Sequence, residues 1–104
     1  MIRRRLVIVG AGPAGLSAAI AAAEAGLDPM VIDENPRIGG QIYRQPPPAL
    51  PPEGGPPLSS AARRGVDLLH RFHQLRARIT VLTETGAWGL FPPRRLAVHA
   101  TRGW

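Results

Sequence analysis

Apolar residues come in short unbroken blocks, each closed by glycine, proline or charge. Leu6, Val7, Ile8 and Val9 run into Gly10, and Met30, Val31 and Ile32 run into Asp33. Between them lies an alanine-rich stretch that ends at Gly26. The blocks predict a strand over residues 4–9, a helix over 14–25 capped by a left-handed Gly26, and a second strand over 29–33. The apolar runs are continuous rather than alternating, the pattern of parallel strands buried on both faces. Further on, Ala61, Leu68, Phe72 and Leu75 recur at helical spacing, widened by Val66 and Leu69, and predict a helix from Ser59 or Ser60 to about Ala77. Arg63, Arg64, Arg71 and Arg76 fall largely outside that stripe. Residues 79–83 read as a third strand of the same sheet. Residues 85–91 and 95–101 read as two more strands, joined at Pro92-Pro93-Arg94, with a final turn at Arg102-Gly103-Trp104. Trp88 is expected to pack beneath this hairpin, the alternative being a stack on an adenine ring.

Between the first strand and helix the glycines are spaced G-x-G-x-x-G, at Gly10, Gly12 and Gly15. The spacing has a physical content. Gly10 is where the chain turns sharply, Gly12 has no Cβ to keep a phosphate off the main chain, and Gly15 lets helix and strand approach closely. The helix start offers unpaired N–H groups and a partial positive charge, and Pro13 suits the first turn because its missing N–H costs nothing there. Asp33 follows Gly10 by 23 residues, at the tip of the second strand, where a carboxylate can accept from ribose hydroxyls. Strand, turn, helix and acid together predict a βαβ unit that holds the pyrophosphate of a dinucleotide.

Composition narrows the class. A chain of 104 residues is one small domain at most, and with aromatics at 5 % its core is aliphatic. The net charge of +6 is carried by arginine without any lysine, alongside abundant Ala, Gly and Pro. That composition reads as a genomic bias rather than a nucleic-acid surface, because no basic–aromatic alternation accompanies it. The lack of cysteine excludes a disulfide, a cysteine metal site or a redox dithiol within the chain. His70 and His73 are three apart but have no third ligand nearby, so no metal site is predicted. Arg3-Arg4-Arg5 before an uncharged run has the outline of an export signal or a membrane span. The glycine spacing interrupts a spanning helix and has its own explanation, so the expectation is a cytoplasmic protein without a membrane partner. Residues 45–60 hold seven prolines and predict a solvated loop insertion, the alternative being a ligand for a proline-binding module. The Gly39-Gly40 pair before it reads either as a flexible turn or as a second piece of backbone approaching the cofactor.

The glycine turn, Asp33-Glu34 and the run Gly39-Gly40-Gln41-Ile42-Tyr43-Arg44 resemble the pyridine-nucleotide-disulfide-oxidoreductase-like flavoproteins. Within that superfamily they resemble the branch of opine oxidase, hydrogen cyanide synthase and proline or hydroxyproline dehydrogenase subunits. The resemblance implies an α/β fold: a Rossmann-like βαβ domain for FAD or NAD(P) with the start of a β-meander, incomplete over residues 1–104. It implies FAD at this first glycine motif, with NAD(P) elsewhere in a complete protein. Gly10, Gly12, Pro13, Ala14 and Gly15 would contact the pyrophosphate. Asp33 would hold the adenosine ribose with Glu34 as its neighbour, Gly40 and Gln41 would follow the pyrophosphate or ribityl chain, and Ala87 would meet the adenine. Members are several hundred residues long and carry a second nucleotide motif, which is absent here, as is the cysteine pair of the disulfide reductases. No residue is marked as catalytic. The expectation is the FAD-binding portion of an oxidoreductase acting on an amine, opine or amino acid, beside other subunits of a flavoprotein complex. A non-catalytic fragment and an NAD(P)-binding module are the alternatives.

Overall fold

The computed structural model describes residues 2–39 and 60–100. Along the chain lie β1 (Val7–Val9), α1 (Pro13–Glu24), β2 (Met30–Ile32), α2 (Ser60–Gln74), a 3-10 turn (Arg76–Arg78), β3 (Thr80–Leu82), β4 (Thr85–Phe91) and β5 (Arg95–Ala100). The expected loop at 45–60 lies outside the described residues, apart from the first residue of α2. So do Gly40, Gln41 and the turn after Thr101.

β1, β2 and β3 form a parallel sheet in that order, with Ile8, Val31 and Val81 in register. Side chains alternate along a strand, so those three share one face. They pack there against Leu16, Ala19, Ile20 and Ala23 of α1, against Phe72, Leu68 and Leu69 of α2, and against Leu75 just after it. α1 is lined with small residues where it meets the sheet, which lets the helix sit close. An exposed ion pair between Arg71 and Glu24 ties the two helices at their surface, and the hydrogen bond to Glu24 raises the guanidinium pKa. α1 ends as expected. Gly26 takes φ +87°, the Gly26 N–H reaches the Ala23 carbonyl at 3.1 Å, and the Leu27 N–H reaches that of Ala22 at 3.0 Å.

The expectation of burial on both faces holds for β2, where Met30, Val31 and Ile32 are all buried. It does not hold for β1, whose Val7 and Val9 are 37 % and 58 % exposed. The second face of β1 has no cover among the described residues.

α2 stops at Gln74 rather than near Ala77. The Leu75 N–H is shared between the carbonyls of Arg71 and Phe72, and the chain tightens into the 3-10 turn. Val66, placed on the buried stripe by spacing, is 55 % exposed, and the stripe is carried by Leu68, Leu69, Phe72 and Leu75. β4 and β5 form an antiparallel pair with a register shift between Ala87 and Gly89. Trp88 is the extra residue of that bulge. It is 64 % exposed, against the expectation that it would pack beneath the hairpin, and meets the ring of Phe91 edge-on at 5.7 Å. Gly89 leaves room for that ring, since a Cβ there would lie 2.6 Å from Phe91 Cε2.

Phe72 is fully buried at the junction of sheet and helices. Phe72→Ala is expected to cost about 3–5 kcal/mol in urea unfolding. Val66→Ala is expected to change stability by less than about 0.5 kcal/mol. Equal effects at the two positions would contradict this core.

Candidate functional site

The three parallel strands end side by side at their C-terminal edge, and the chain leaves each in a different direction. Gly10 carries φ +99°, a left-handed conformation in which a side chain would be strained, and its N–H still bonds the Ile32 carbonyl at 2.7 Å. Gly12 then begins α1 with no side-chain cap, and Pro13 occupies the first turn. The first-turn N–H groups of such a helix have no partner inside it, and they carry about half a positive charge between them. A Cβ on Gly12 would meet nothing within 4 Å, so the space above this glycine is open. Gly15 is the opposite case. A Cβ there would lie 1.8 Å from the Gly10 carbonyl oxygen and 3.4 Å from Ile8 Cγ2. The close approach of helix and strand is therefore made at the turn itself.

The turn is held from the far side by Asp33. Its Oδ2 accepts from the Ala11 N–H at 2.7 Å, across 22 residues of chain. Its Oδ1 accepts from the Asn35 N–H at 2.8 Å and from Asn35 Nδ2 at 2.9 Å. The carboxylate is buried. The main chain of the same residue joins two further strands: the Asp33 N–H bonds the Leu82 carbonyl, and its carbonyl accepts from the Thr85 N–H, both at 2.9 Å. Gly39 closes the arrangement. With φ +109° it brings a second piece of backbone to the turn, where its N–H bonds the Ala11 carbonyl at 2.7 Å. Gly39 lies in a turn that packs against Ala11 and lines no part of the cleft, and Gly40 lies outside the described residues.

These elements enclose an open cleft of about 600 Å³. Its size falls in the usual range of about 300–1,000 Å³ for small-molecule sites. Gly10, Gly12, Pro13, Ala14 and Gly15 line it together with Asp33, Glu34 and Ala87, so eight of the residues singled out in the sequence meet there. Val9, Ile32, Asn35 and Thr85 also line it and carried no local signal; they enter because the strand ends converge. His70 and His73 are exposed on α2, away from the cleft. The helix start contributes a positive field to the cleft, and the acids contribute a negative one. That combination fits a molecule that carries both a phosphate and hydroxyl donors. Among the described residues no helix is long and apolar enough to cross a membrane.

Similarity to known proteins falls on the same residues. The family model for an NAD(P)-binding Rossmann-like domain matches residues 8–78. An opine oxidase subunit of Agrobacterium tumefaciens (strain Ach5) is 58 % identical over 40 residues, 38 % of this chain and 8 % of that protein. The corresponding opine oxidase subunit of Rhizobium meliloti (strain 1021) is 39 % identical over 92 residues, 83 % of this chain and 18 % of that protein. The HcnB subunit of hydrogen cyanide synthase from Pseudomonas protegens is 55 % identical over 40 residues, 38 % of this chain and 8 % of that protein. The chain thus spans less than a fifth of the length of each of these curated relatives.

Gly15 gives a test of sign. Replacing a helical glycine by alanine ordinarily stabilises a helix by about 1 kcal/mol. Here the Cβ would collide with backbone, so Gly15→Ala is expected to destabilise the fold by more than that amount. Thermal unfolding of the two proteins checks it, and a stabilised variant would contradict the geometry of the turn.

Proposed function

The chain belongs to the NAD(P)-binding Rossmann-like domain family, and from that premise we propose that it forms the FAD-binding portion of an oxidoreductase that acts on an amine, opine or amino acid. The observation that carries the reading is the open space above Gly12 beside the uncapped start of α1. A bare main chain and a positive helix end are what a pyrophosphate needs at close range. The pyrophosphate lies over the turn from Gly10 to Gly15, and the adenosine ribose lies toward the acids at the end of β2. The adenine lies near Ala87. Gly40 and Gln41, outside the described residues, continue along the pyrophosphate or ribityl chain.

When bound, the flavin would accept a hydride or an electron pair from the substrate. What this chain contributes is binding and orientation: the turn fixes the phosphates, and the strand ends fix the ribose. FAD is favoured over NAD by the Gly-Gly-Gln-Ile-Tyr-Arg run that follows β2. The relatives are named as oxidase and synthase subunits, which supports work within a multi-chain complex. A cytoplasmic setting is supported because β1, the turn and α1 account for the apolar run near the start of the sequence. The second reading is an NAD(P)-binding module, favoured by the description of the matching family.

Titration of the purified chain with FAD, followed by flavin fluorescence, tests the proposal with NAD as control. Saturable binding with preference for FAD is expected. Gly12→Val is expected to weaken it at least about tenfold, or about 1.4 kcal/mol, because the new side chain fills the phosphate's place. Preference for NAD would favour the second reading, and an unchanged affinity in the variant would remove the turn from the site.

A further inference from the structure

A second cleft lies at the opposite end of the parallel strands from the glycine turn. It is lined by Arg3, Arg4 and Arg5, which lead into β1, and by Gly26, Leu27 and Asp28, which join α1 to β2. Sheet register brings the two segments together. Val7 pairs with Met30, and the Met30 N–H bonds the Leu6 carbonyl at 3.0 Å, so the residues before each strand stand side by side. The cleft has a volume of about 380 Å³ and shares no lining residue with the cleft at the glycine turn.

Its charge is unbalanced. Arg3, Arg4 and Arg5 are exposed, and among the described residues no hydrogen bond or ion pair holds any of them. Asp28 is the one acid in the lining and is equally uncommitted. The backbone donors of the loop are already spent, the Gly26 N–H on the Ala23 carbonyl and the Leu27 N–H on that of Ala22. What the cleft offers a ligand is therefore guanidinium N–H groups and an excess of positive charge. Like charges gathered in this way repel one another, and a bound anion relieves the repulsion. A single carboxylate would engage one guanidinium fork. A phosphate anion with several oxygens can engage more than one at once, with charge-assisted bonds to each.

We propose that this arginine cleft is a second anion site, separate from the glycine turn, and that its ligand is a diphosphate-type anion. The proposal does not rest on the dinucleotide reading, because the two clefts have no residue in common.

Inorganic pyrophosphate is the probe, titrated calorimetrically at constant ionic strength. The Gly12→Val chain serves as the background, so that the glycine turn is blocked; a Cβ at Gly12 meets no neighbouring atom, which leaves the fold intact. Saturable binding is expected in this background. Replacing Arg3, Arg4 and Arg5 by Gln is expected to weaken it at least about tenfold, the scale of losing a hydrogen bond to a charged group. Asp28→Asn is expected to tighten it about threefold, the scale of one exposed charge interaction. Asp28 is far from the arginines in sequence, so its effect reports the folded cleft rather than the arginine run alone. Absence of pyrophosphate binding in the Gly12→Val background would overturn the site. So would equal affinity in the three-glutamine variant, or an Asp28→Asn chain that binds no more tightly. Every altered side chain is exposed or stands in open space, so these variants test binding rather than folding.

Discussion

The hydrogen bond from the Ala11 N–H to the Asp33 carboxylate is the constraint on which the architecture turns. Ala11 is completely buried, and its N–H would be without a partner if the acid were absent. Leaving a buried donor unpaired costs about 1–3 kcal/mol. The same bond fixes the β1–α1 turn to the end of β2. Asp33 also bonds through its main chain to β3 and to the start of β4. One residue thus joins the ends of four strands, and the cleft takes its shape from that junction.

Around this junction the glycines do different work. Gly10 and Gly39 supply left-handed backbone, Gly12 leaves open space, and Gly15 leaves space that the Gly10 carbonyl occupies. The consequence is a wall made largely of main chain. Such a wall recognises a phosphate by dipoles and close approach rather than by charged side chains, and it tolerates little change in shape. Among the described residues, the arginines at positions 3–5, 63, 64, 71, 76 and 78 are exposed and line no part of this cleft.

Much of the fold was legible in one dimension. The order strand, turn, helix, strand follows from block length, alanine content and glycine spacing, all properties of contiguous chain. Gly26 could be read as a helix stop for the same reason. The errors share an opposite cause. Val66 lies at a plausible helical spacing, yet the core contacts of α2 are made by Leu68, Leu69 and Phe72 and Val66 is left exposed. Trp88 is a large apolar residue in a strand, yet a one-residue bulge turns it outward. Val7 and Val9 belong to a run indistinguishable from that of β2, yet their face of β1 has no cover among the described residues.

The sequence by itself determined that a glycine turn would join a strand to a helix, and that acids would stand at the end of the next strand. Those features follow from backbone freedom and from side-chain periodicity, which act within a few residues. Only the tertiary structure decided what each acid touches. Asp33 and Glu34 are consecutive, and nothing local distinguishes their carboxylates. The partner that engages Asp33 lies 22 residues away, and the glycine beside Glu34 is Gly86 of β4. Those neighbours arrive only when the strand ends converge, because a hydrogen bond or a close packing contact needs atoms brought together in space, not merely along the chain.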